Sequence, residues 1–283
     1  MAHTLEVPGG TLHYDIREGE PSDAPMLLMI GSPMDASGFT GLAARFRDRT
    51  VVTYDPRGSG RSTRTGGGES TPEQHADDLH RLIDALGGGP VDIFASSGGA
   101  VNGLALVARH PGQVRTLVAH EPPAVQVLPD RERALAAVTG IRRTYDRHGF
   151  GAAMAKFIAV TGLHGEIPDG FDDQPVQSPA ELGLPAEDDG SRDDVMFAQN
   201  LVTCTHHEHD FEALRAASAR VVIGVGAESE GQLCHRAGVA VAARLGTEPV
   251  VFPSHHAGFL DGEFGMKGDP EAFAATLRQV LAA

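Results

Sequence analysis

Apolar positions along the chain follow two alternating spacings. Short, largely apolar runs at Met26–Ile30, Val51–Tyr54, Val91–Ala95 and Val114–Ala119 have the length and make-up of strands covered on both faces. Between the second and third runs, Ala76, Leu79, Ile83 and Leu86 recur on one face of a helix that Thr71 caps, Pro72 opens and Gln74 completes as a capping box. Ahead of all these, Leu5 and Val7, then Leu12, Tyr14 and Ile16, each keep one parity on either side of Pro8-Gly9-Gly10, which predicts an antiparallel hairpin at the start of the sheet. The alternation of strand and helix is that of an α/β domain.

The alternation stops at Pro122-Pro123. As far as residue 218 the spacing is helical or irregular, with helices over 130–148 and 151–161 closed by Gly149 and Gly162, a stretch rich in Pro, Gly and acids at 163–190, and a helix from Arg192 to Thr203. It resumes with Val221–Val225, a helix over 231–245, a strand at Pro249–Phe252 and a last helix from Pro270. The chain thus divides into one core, 1–122 with 219–283, and an inserted helical cap, 123–218, which covers the C-terminal edge of the sheet and shapes a pocket, with 163–190 as a lid. A length of 283 residues suits one such domain with an insertion.

The join between Val91–Ala95 and the helix from Ala100 is filled by Ser96-Ser97-Gly98-Gly99. In a nucleophile elbow the central residue is strained and its neighbours two positions away must be small, here Ala95 and Gly99 around Ser97. The Ser97 hydroxyl then projects above the sheet, and the Gly98 N–H at the helix start faces an oxyanion. An ordinary turn would use Ser97 only as an N-cap. Glu121 ends another strand, where open α/β sheets place ligands, although it also reads as a solvated loop glutamate. His256, after the last strand, is placed to reach Ser97, with His255 as second choice. Serine, acid and histidine in that chain order are more specific together than singly.

Composition narrows the partners. A net charge of −15 argues against nucleic acid and anionic membrane, both of which are bound through clustered Lys and Arg. Cys204 and Cys234 stand in unrelated surroundings, as reduced thiols of a cytoplasmic protein do, and no apolar run approaches the roughly 20 residues of a membrane span. His206, His207 and His209 cluster with Glu208 but match no metal spacing such as His-Glu-x-x-His, so they are read as a polar linker with no metal. Asp55 and Arg57 are expected to pair with each other, and His75 and His80 to be solvated.

Together, the glycine loop at Gly31, Asp-x-Arg-Gly-x-Gly-x-Ser at 55–62, the elbow at Ser97, the insertion and His256-Ala257-Gly258-Phe259 resemble the α/β-hydrolase fold family over nearly all of the core. The resemblance implies an α/β-hydrolase fold, an eight-stranded, mostly parallel sheet with helices on both faces and a helical cap insertion. It also implies a nucleophile, acid and histidine triad, and Ser97 in place of aspartate points to the esterase, lactonase or carbon–carbon bond hydrolase branches. In such serine hydrolases the Gly31 loop supplies a second oxyanion donor; Pro33 has no N–H, so Ser32 is the first choice. Family members commonly carry the acid as Gly-x-x-Asp after the seventh strand, and here that position is Ser229, flanked by Glu228 and Glu230. Others place it after the sixth strand, where Glu121 stands, so Glu121 is preferred and Glu228 is the alternative. The implied activity is cofactor-free cleavage of a small or medium ester or lactone, a small-molecule substrate. Carbon–carbon hydrolase, lyase, perhydrolase and non-catalytic binding readings stay open, as does assembly into a homodimer.

Overall fold

A computed structural model describes residues 2–283. Its single sheet runs in the order β1-β2-β4-β3-β5-β6-β7-β8, where β1 is Ala2–Val7, β2 Gly10–Arg17, β3 Leu27–Ile30, β4 Val51–Asp55, β5 Val91–Ser96, β6 Val114–His120, β7 Arg220–Gly226 and β8 Val250–Phe252. β1 and β2 form the expected hairpin, β2 pairs antiparallel with β4, and every later pairing is parallel. Ser96 pairs with His120, His120 with Gly224, and Gly226 with Phe252, so the C-terminal ends of four strands finish side by side.

Helices cover both faces because β5 and β6 are apolar on both. On one face, α2 (Pro72–Ala85), α3 (Gly98–Arg109) and α7 (Leu233–Leu245) bury Leu79, Leu104 and Val241 against Ile93 and Leu117. On the other, α1 (Thr40–Ala43) and α8 (Pro270–Ala282) bury Leu42, Phe273 and Leu277 against Phe94 and Val118. The long β6-to-β7 connection carries α4 (Arg131–Thr161), α5 (Leu201–Thr205) and α6 (Phe211–Ala216). Gly149, at φ 76°, breaks α4 where the sequence places a helix end. One turn of π-helix at Val195–Asn200 precedes α5, a geometry frequent at functional sites. Val138, Ile141, Phe197 and Leu201 cluster here with Leu233 and Ala237 of α7. α6 lies elsewhere: its Phe211 and Leu214 join the cluster beneath the sheet. No described helix is long and apolar enough to cross a membrane.

Three local expectations are corrected. Asp55 and Arg57 do not pair with each other. Asp55 accepts from Arg61 Nε at 2.7 Å and from the Ala36 and Arg61 amides, whereas Arg57 makes a two-pronged, buried ion pair with Asp78 of α2 at 2.8 and 2.6 Å. The positive φ at Gly58 and Gly60 turns the chain back so that Arg61, rather than Arg57, meets Asp55. His75 is buried, its Nε2 2.7 Å from Asn200 Oδ1, because the cap lies over its face of α2, and half-buried His80 bonds Gln113 at 2.9 Å.

The Arg57–Asp78 pair gives a stability prediction. Arg57→Met strands a buried carboxylate and is expected to cost about 3–5 kcal/mol, whereas the double variant Arg57→Met/Asp78→Leu recovers most of the loss. Urea denaturation reads both, as a change in midpoint at constant slope.

Candidate active site

Ser97 sits at φ 54° and ψ −123°, a conformation costly for any residue with a side chain. Two contacts hold it there. The Ser97 N–H donates to the His120 carbonyl at 2.9 Å, and α3 approaches the end of β3 so closely that a Cβ on Gly99 would lie 2.5 Å from the Ile30 carbonyl oxygen. The Ser97 side chain makes no capping hydrogen bond to α3, so its hydroxyl is left for other use. Gly98 opens the helix, where the first amides have no intrahelical acceptor and the helix dipole favours negative charge. Ser32 lies beside it; a Cβ on Gly98 would be 2.4 Å from the Ser32 carbonyl oxygen.

Glu121 follows β6 with φ 48°, and its side chain is fully buried. Both of its oxygens are engaged, on two fronts. Oε2 accepts from His256 Nδ1 at 2.6 Å, and Oε1 accepts from the Gly226 N–H at 2.8 Å and from the Ser229 hydroxyl. Burial raises its pKa, but the bond and charge of His256, the nearby His120 and the Ser229 hydroxyl overcome that and hold it at about 2. His256 is thus oriented through Nδ1, which leaves Nε2 for a second partner. Among the described residues no hydrogen bond joins Ser97 Oγ to His256, although both line one cavity; such contacts tighten when substrate binds.

That cavity has a volume of about 350 Å³. Ser32, Ser97, Gly98, Glu121 and His256 form its floor, and Val138, Ile141, Phe157, Met196, Leu201 and Leu233 are among its apolar walls. A hydroxyl on a strained turn, an imidazole fixed by a buried carboxylate and amides at a helix start can together carry out nucleophilic attack on a carbonyl.

A family model of the alpha/beta hydrolase fold matches residues 25–172, and an uncharacterized hydrolase of Bacillus subtilis is 30% identical over 265 residues, 90% of this chain and 89% of its own. The chain belongs to the alpha/beta hydrolase family. Two solved structures share the fold of this hydrolase: an esterase of Thermogutta terrifontis, with 20% identity, a TM-score of 0.66 and coverage of 100% of this chain and 98% of its own, and an enol-lactonase of Burkholderia xenovorans, with 20% identity, a TM-score of 0.65 and coverage of 99% and 100%.

The hydrolase brings Ser97, Glu121 and His256 together with Ser32 and Gly98, and leaves Glu228 out. Glu228 and Glu230 are exposed on the turn after β7, and His255 Nδ1 accepts from the Ala257 amide instead of facing Glu121. His206 and His207 contact Thr139, Thr205 and Glu73, and half-buried His209 is held at a pKa of about 3 by its desolvation and then by His207.

The structure also corrects the reading of the cysteines. Both line the cavity, 30 positions apart in sequence but facing one space, which no linear spacing signals. Two further contributors escaped sequence reading. Ser229 stands where the resemblance calls for an acid, and its hydroxyl serves the acid of the neighbouring strand. Asn200 lines the cavity while bonded to His75.

Proposed function

We propose that this hydrolase cleaves a small or medium carboxylic ester or lactone through Ser97, His256 and Glu121 by way of an acyl-enzyme. The observation that carries the reading is the 2.6 Å bond from His256 Nδ1 to a carboxylate buried beside the Ser97 turn. His256 Nε2 takes the Ser97 proton as Oγ attacks the carbonyl carbon, and the Ser32 and Gly98 amides hold the developing oxyanion. Collapse expels the alcohol, protonated by His256. Water, deprotonated by the same imidazole, then releases the acyl group as a carboxylate and restores Ser97. Glu121 fixes the tautomer and stabilises the imidazolium without taking the proton. The steps need no cofactor.

Labelling with a fluorophosphonate tests this directly. The expected result is one phosphonyl group per chain, on the peptide that contains Ser97, with turnover of a short-chain nitrophenyl ester lost in step. Label on another residue, or labelled protein that keeps its turnover, would refute the proposal.

A further inference from the structure

The cavity contains no cation able to meet a second negative charge. Among the described residues that line it there is no Lys or Arg, and its ionisable side chains are Glu121, His256, Cys204 and Cys234. Glu121 is spent on His256, Gly226 and Ser229. Burial pushes the Cys204 thiol up to about 12 and the Cys234 thiol higher, so both stand as neutral, weakly polar groups.

Of the other polar walls, Thr161, Thr205 and Asn200 are turned inward, whereas the neutral Gln232 amide is left without a side-chain partner among the described residues. The Thr161 hydroxyl donates to the Phe157 carbonyl at 2.9 Å and the Thr205 hydroxyl to Leu201 at 2.7 Å, each back into its own helix. Asn200 donates from Nδ2 to the Val195 carbonyl at 2.8 Å, and its Oδ1 lies 2.7 Å from His75 Nε2. A carboxylate entering this space loses its hydration and gains no counter-ion, which a neutral amide such as that of Gln232 does not replace. The chain's overall −15 adds a repulsive field.

We propose that the site selects substrates whose acyl portion is uncharged and largely hydrocarbon, and rejects those that carry a second carboxylate on that portion. The inference rests on the ester or lactone reading above. Ile158 lines the cavity and is 41% exposed, which marks it, with exposed Gly162, as the mouth, where a cation can be added without burial.

Three esters built on the same six-carbon acyl chain test it: 4-nitrophenyl hexanoate, the mono-4-nitrophenyl ester of adipic acid, and the same adipate with its far carboxyl methylated. The expected kcat/KM for the free acid is at least about 100-fold below that of the hexanoate, with the methyl ester within about tenfold of it. Ile158→Arg is expected to shift the acid-to-hexanoate ratio at least about tenfold toward the acid. The proposal is overturned if the free acid is turned over within about threefold of the hexanoate, or if the methyl ester falls as far as the acid. Should no ester be turned over, the hydrolytic reading fails by itself. Calorimetric binding of hexanamide against adipic acid monoamide then decides charge selection: preference for hexanamide supports it, and equal binding overturns it.

Discussion

Ser97→Ala is expected to lower kcat on a short-chain nitrophenyl ester by about 10⁶-fold, with unfolding free energy within about 0.5 kcal/mol of the wild type. The two halves of that expectation have separate causes. Chemistry is lost because Ser96, the other serine of the join, belongs to β5 and does not line the cavity. Stability is kept because the turn is held by the Ser97 amide and by the approach of α3 at Gly99, and the hydroxyl caps nothing. Ser97→Gly sharpens the point. It is equally inactive, yet it relieves φ 54° at a position where L side chains are strained and should gain about 1 kcal/mol after the entropy cost of glycine. Steady-state kinetics and urea denaturation on the three proteins check both parts. Turnover that survives Ser97→Ala would remove Ser97 from the mechanism.

Glu121→Gln should cost about 10⁴-fold in kcat. With its oxygen kept by the Gly226 amide and the Ser229 hydroxyl, the new amide turns its NH₂ toward His256, which must then accept at Nδ1 and carry its proton on Nε2. An imidazole in that tautomer cannot take the Ser97 proton. Glu228→Gln, on the exposed turn, is expected to leave kcat unchanged. The acid limb of stability separates the variants again. The Glu121 carboxyl has its pKa depressed from 4.5 to about 2 in the folded protein, so its contribution is complete above about pH 4.5 and is lost as pH falls toward 2. Melting temperature over that window should therefore fall more steeply in the wild type than in Glu121→Gln. Parallel curves would mean that the carboxylate is not held in its charged form.

Much of this arrangement was legible because it depends on local rules. Ala95, Ser97 and Gly99 announce the elbow through size alone, and Thr71, Pro72 and Gln74 announce α2 through end chemistry; the Thr71 hydroxyl does accept from the Gln74 amide. The choice between Glu121 and Glu228 was harder, because sequence puts both at strand ends and only register brings one of them to the histidine. The misreadings share one physical origin. Arg57 meets Asp78 rather than Asp55, His75 is buried beneath the cap, and Cys204 and Cys234 share a cavity; each depends on how distant segments close on one another. Charge and spacing along the chain say nothing about that closure.

The carboxylate that orients His256 grows from one strand end, and the hydroxyl that steadies it grows from the next. The acid's place is therefore shared between two adjacent positions in space that lie 108 residues apart in the chain. A search pattern that demands an acid after the seventh strand would read Ser229 and score this hydrolase as a dead member of its family. The same geometry gives such a lineage a short route for moving its acid: a residue at 229 with a side chain long enough to replace the hydroxyl would approach the same imidazole, and the histidine loop would not have to shift at all.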